Sequence, residues 1–110
     1  MINELVESYK TYIEKIPNGA LIIAEYLRVD DVENALIQIK NFSEGVIWLF
    51  KANEILVSHE MVDKLDIQDI EEFLLEINNG LEKQDYVLVA DIFEYEISEF
   101  FKGVNSIGAL

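Results

Sequence analysis

The chain contains no cysteine, so no disulfide framework and no thiolate metal site can form within it. That absence fits a reducing compartment. It has one histidine, His59, and no glutamate three residues before it, so the paired Glu-x-x-His signature of di-iron bundles is missing. No glycine-rich phosphate cradle and no Gly-x-Ser-x-Gly elbow occurs, which removes the usual nucleotide and serine-hydrolase readings. With one proline and five glycines in 110 residues, turns are few. Long apolar runs are also missing. The longest, Ala20–Ala24, Val46–Phe50 and Tyr86–Ala90, have five residues each, too short to cross a bilayer. The first ten residues carry Glu4 and Glu7 without an apolar run, so no signal peptide is expected and the protein is read as cytoplasmic and soluble.

Cations are scarce too. Eight Lys and Arg stand against twenty-two Asp and Glu, a formal charge of -14. Residues 1–59 carry a net -4 and residues 60–110 a net -10. Such a field repels phosphate backbones and anionic lipid surfaces, so neither nucleic acid nor membrane is an expected partner. A solvated acidic surface that keeps the protein soluble accounts for the charge.

What the chain has in quantity is apolar residues, 51% of the total, arranged with helical period. One domain spanning 1–110 is expected. Ile2, Val6, Tyr9, Ile13, Ile16, Ala20, Ile23 and Leu27 are spaced alternately by four and three, which predicts a first helix over about 2–28. Pro17 lies inside it and predicts a kink or a split there, because proline lacks the N–H and collides with the carbonyl four residues back. Asp30, with Glu33 three residues on, has capping-box spacing. It opens a second helix over about 31–57, with a seam of Val32, Ala35, Ile39, Phe42, Val46, Leu49, Asn53 and Leu56. Asp66 or Asp69 can cap a third helix, 66–83, and Asp85 a fourth, 85–102, whose seam is Tyr86, Val89, Ala90, Phe93, Ile97, Phe100 and Val104. Gly103 suits its C-terminal cap and leaves a tail over 103–110. The runs at 46–50 and 86–90 resemble buried strands by residue type, but their flanks continue the helical period. The expected fold is all-α, an up-down four-helix bundle.

The acidic residues do not assemble a recognisable site. Asp63, Asp66 and Asp69 recur every three residues, but the EF-hand spacing and its glycine are absent, and capping of a helix start explains them better. His59 reads as a loop or helix-end residue. No cofactor, metal ligand or catalytic residue is therefore assigned. The competing class is an enzyme that holds a divalent cation on clustered carboxylates.

Two helices are apolar on a second side. On the second helix Ile37, Trp48 and Ile55 fall opposite the seam, with Ala52 beside them and Asn41 and Glu44 in the same stripe. On the fourth, Leu88, Ile92 and Tyr95 do the same. A helix apolar on two faces is either covered by several neighbours or exposes a patch. These six residues are the candidate partner-binding set. The function expected from them is a non-enzymatic protein-interaction module, whose partner is another protein or a second copy in a homodimer.

Asp30-Asp31-Val32-Glu33-Asn34-Ala35-Leu36 and Asp85-Tyr86-Val87-Leu88-Val89-Ala90-Asp91 repeat one pattern of helix end, short link and Asp-led helix. Over residues 18–104 this resembles small bacterial helical-bundle proteins such as the flagellar export chaperones. It also resembles an uncharacterised bacterial helical family with similar Lys-Gln-Asp-Tyr-Val-Leu runs. The first resemblance implies a cytosolic, chaperone-like adaptor that holds an apolar helical segment of its partner. The extra N-terminal helix and the strong acidity depart from that pattern.

Overall fold

A computed structural model describes residues 1–106, the last two by their backbone alone. Its described residues form four helices and no strand. These are α1 (Ile2–Arg28), α2 (Val32–Ser58), α3 (Ile67–Glu82) and α4, the continuous run 86–106. The fold is all-α, as the period predicts. Both strand-like runs lie within helices.

Pro17 is buried inside α1, which is one helix from end to end, so the split alternative does not hold. The three links begin in the same way. After α1, α2 and α3 the chain adopts a left-handed conformation at Asp30 (φ 62°), Glu60 (φ 57°) and Gln84 (φ 55°). Each closes a Schellman motif: the N–H of Asp31 reaches the Tyr26 carbonyl at 2.8 Å, Met61 reaches Leu56 at 2.9 Å, and Asp85 reaches Gly80 at 2.8 Å. Asp30 is therefore consumed in ending α1, and the cap of α2 moves one residue on. Asp31 accepts the Asn34 N–H at 3.4 Å and its Nδ2 at 2.8 Å. Asp66 caps α3 through the Asp69 N–H, and Asp85 caps α4 through the Leu88 N–H.

α1 is the central element: it packs on both α2 and α4, while α3 packs on α4. The core runs the length of this assembly, from Val6 and Tyr9 through Val46, Leu49 and Phe93 to Phe101. Aromatic edges tie the layers. Phe42 of α2 meets Phe93 of α4 at 5.3 Å between ring centres, and Phe73 of α3 meets Phe100 at 5.6 Å. Burying one large apolar side chain of this kind contributes ~1.5–3 kcal/mol.

α4 departs from regular geometry. Between α-helical Tyr86–Asp91 and Ser98–Ser106 lies a π-helical turn, Ile92–Ile97. Its wider turn, bonded i to i+5, rotates every later residue relative to an α-helix. Phe101 consequently takes the fully buried seam position in place of Phe100, which is only partly buried. Ser98, buried at the exit of the turn, donates its hydroxyl to the Glu94 carbonyl. Gly103 does not end the helix, which continues to Ser106. The remainder of the expected tail, 107–110, lies outside the described residues.

Candidate protein-interaction surface

Five apolar side chains stand out from α2: Leu36, Ile37, Ile47, Trp48 and Ile55. Three of them are the expected stripe, and they are 52%, 37% and 46% exposed for Ile37, Trp48 and Ile55. Asn41 and Glu44 share the stripe and are exposed, so neither polar group is buried without a partner. Ala52 does not belong to it. It is buried in the core, because α1 packs on that side of α2.

Trp48 is half covered by a neighbour from α1. Its ring meets the Tyr12 ring edge-on at 5.9 Å. Tyr12 can lie there because position 45 is glycine: a Cβ on Gly45 would stand 1.8 Å from the Tyr12 hydroxyl. Burial holds the Tyr12 phenol above its ordinary pKa. Beyond Tyr12 the α1–α2 seam opens into a groove of about 240 Å³. Ile16, Ala20, Ile23 and Phe42 form its apolar floor, with Gly19, Lys15, Gln38 and Asn41 around them.

The second expected stripe is broken. Leu88 and Tyr95 are 41% and 61% exposed, but Ile92 between them is fully buried. The cause is packing on two sides: Ile92 opens the π turn, and that stretch of α4 is flanked by both α1 and α3. Ile92 is thus a core residue and not part of a partner-binding face. Leu88 packs beside Gly80 at the crossing of α3 and α4. Tyr95 stands next to Arg28, the single arginine, which bridges Asp91 at 2.8 Å and Glu94 at 3.0 Å.

One buried polar cluster escaped sequence reasoning. Asn53, on the α2 seam and 1% exposed, donates to the Tyr9 hydroxyl at 2.8 Å and to the Asp63 carbonyl at 3.1 Å. It accepts the Leu65 N–H at 3.3 Å. The side chain therefore bolts α1, α2 and the link 59–66 together. A polar residue on an otherwise apolar seam was the available signal. Burial raises the Tyr9 pKa, and the Asn53 hydrogen bond partly offsets the rise.

His59 is exposed and ends α2 as its C-cap. Among the described residues no three His, Asp or Glu side chains gather as a metal-binding group. No helix among them is long and apolar enough to cross a membrane.

A family model described as a domain of unknown function (DUF8042) matches residues 4–107. The chain belongs to that family. Of the two resemblances drawn from the sequence, the match supports the one to an uncharacterised family. No curated protein and no solved structure matches the chain.

Proposed function

We propose that the chain is a non-enzymatic protein-interaction module, acting as a chaperone-like adaptor or a self-associating scaffold. The observation that carries this reading is the outer face of α2. Ile37, Trp48 and Ile55 are exposed along one stripe of a helix that also lines a concave, mostly apolar groove with α1, while Leu36 and Ile47 stand apart from them beyond the exposed charges of Lys40 and Lys51. An exposed apolar stripe beside an apolar groove marks an interaction site. Trp48 is the anchor of this face, since buried aromatic residues dominate interface energetics.

The test is Trp48→Ala, read by denaturant melting and by association. Because Trp48 is 37% exposed, the isolated fold should lose about 2 kcal/mol, short of the ~3–5 kcal/mol of a core Trp. Association through this face should fall at least about 30-fold, which corresponds to a hot-spot loss of about 2 kcal/mol. A severe loss of stability with association unchanged would sink the reading. The competing metal-enzyme class makes a different prediction, a melting temperature that rises with millimolar magnesium, calcium or manganese.

A further inference from the structure

Two of the glycines inside helices are explained by a neighbour. A Cβ on Gly45 would meet Tyr12 at 1.8 Å, and one on Gly80 would meet the Val89 Cγ2 at 2.6 Å. Gly19 is different. It lies in mid-α1, where glycine is less favourable than alanine, yet among the described residues nothing beyond its own helical turn comes within 4 Å of where its Cβ would be. Gly103 is equally open but lies in the last turns of α4, where a helix tolerates glycine at little cost.

The open space over Gly19 belongs to the α1–α2 groove. Twenty-two carboxylates are distributed along the chain, and none lines this groove; its one charge is Lys15. Exposed apolar residues flank it: Ile22, one turn beyond Gly19, and Ile37 and Trp48 on the adjoining stripe of α2. Charge falls away on the same two helices. α1 and α2 each carry a net -1, against five carboxylates and no cation on α3.

We propose that this groove receives the same face of a second copy of the chain, the apolar rim of each filling the open space beside Gly19 of the other. The inference rests on the reading of the α2 face as a binding surface and names its occupant. Two chains of -14 repel, and a two-fold contact through α1 and α2 puts the least charged sides together while the acidic hairpins point away. Area permits it. The molecule measures 42 × 22 × 21 Å, so one long side has the footprint of a standard interface, ~800 Å² per partner.

Sedimentation of the purified protein between about 10 μM and about 1 mM tests this, with Gly19→Glu and Tyr95→Ser as variants. The wild type should dimerise with rising concentration, and Tyr95→Ser should match it. Gly19→Glu should associate at least about tenfold more weakly, since it fills the groove and sets like charges together. Its melting temperature at low concentration should not fall, because glutamate is the better helix former and the space is open. A wild type that stays monomeric throughout overturns the proposal, as does a Gly19→Glu protein that dimerises equally well. A photo-crosslinker at Gln38 in cells separates this from the broader reading. A product of twice the chain mass supports the dimer. Products with other proteins alone overturn the dimer and leave the interaction module standing, and no product removes both.

Discussion

The α1–α2 hairpin and the α3–α4 hairpin close their links alike and differ in what they show to water. In each, a Schellman turn with a non-glycine left-handed residue ends the first helix, and an aspartate on the next residue caps the second. The outer surfaces diverge. The helices of the first hairpin carry a net -1 each, and it exposes Leu21, Ile22 and the five apolar residues of α2. The second is strongly acidic, and among its described residues only Leu75, Val87, Leu88 and Tyr95 are exposed large apolar side chains, with no continuous stripe on either helix. One hairpin has the surface of a contact side and the other that of a solvated side. Local turn chemistry can thus be repeated within a chain while the outer faces are set independently, since an outward residue is not constrained by the seam behind it.

The largest expected effect concerns the bolt between the first hairpin and the link to the second. Asn53→Ala removes three hydrogen bonds and leaves the Leu65 N–H and the Asp63 carbonyl to find new partners. At ~1 kcal/mol per bond, more where a buried group is left unpaired, the loss should be about 3 kcal/mol in urea melts. Amide exchange should quicken first over 59–66. A loss below about 1 kcal/mol would mean that the link is held by Val62 and Leu65 in the core, and that the two hairpins are joined by apolar packing alone.

Much of this fold is legible in the sequence, because long helices repeat their period many times. The seam of α1 has eight members in phase, and Val6, Tyr9, Ile13, Ile16, Ala20, Ile23 and Leu27 are all buried. What the period misses is a change of period. The π turn at Ile92–Ile97 carries no residue signature, so Phe100 reads as the seam residue where Phe101 takes that place. The one-residue shift of the α2 cap has a similar origin: Asp30 and Asp31 are equally good caps by type, and only the left-handed turn decides between them. At the candidate surface, the exposure of Ile37, Trp48 and Ile55 is legible from the helical wheel. The difference between Gly19, Gly45 and Gly80 is not, since it depends on which neighbour lies over each.

Gly80→Ala gives an intermediate effect and sharpens the contrast between the hairpins. The added methyl would meet the Cγ2 of Val89, which is fully buried and has little room to yield. Overpacking of this kind costs ~1–3 kcal/mol, and the better helix propensity of alanine returns up to ~1 kcal/mol. A net destabilisation of about 1 kcal/mol is expected by thermal melting. Equal or higher stability would show that the α3–α4 crossing is loose, and that close approach does not explain its glycine.

The smallest effect isolates the acidity of the second hairpin. The Glu96 carboxyl is raised above its ordinary pKa, first by burial and then by the nearby Glu76 carboxylate. A carboxyl whose folded pKa lies above its unfolded value binds its proton more readily in the folded state. Its ionised form therefore costs stability at neutral pH, and that cost disappears as the pH falls below the unfolded value near 4.3. Glu96→Gln removes the charge and keeps the shape. It should stabilise the protein at pH 7 by about 0.5 kcal/mol or less, the range of surface substitutions. The gain should shrink towards zero near pH 4, where the wild-type carboxyl is already protonated. It should also shrink in ~1 M salt, which screens Glu76 from position 96. The matching change in the first hairpin, Glu44→Gln, removes an exposed carboxylate from a helix of net -1 and should gain less at pH 7 than Glu96→Gln. Melting curves of both variants between pH 4 and 7 make the comparison. If Glu96→Gln were neutral at pH 7, or if Glu44→Gln gained as much, repulsion would not be concentrated in the second hairpin.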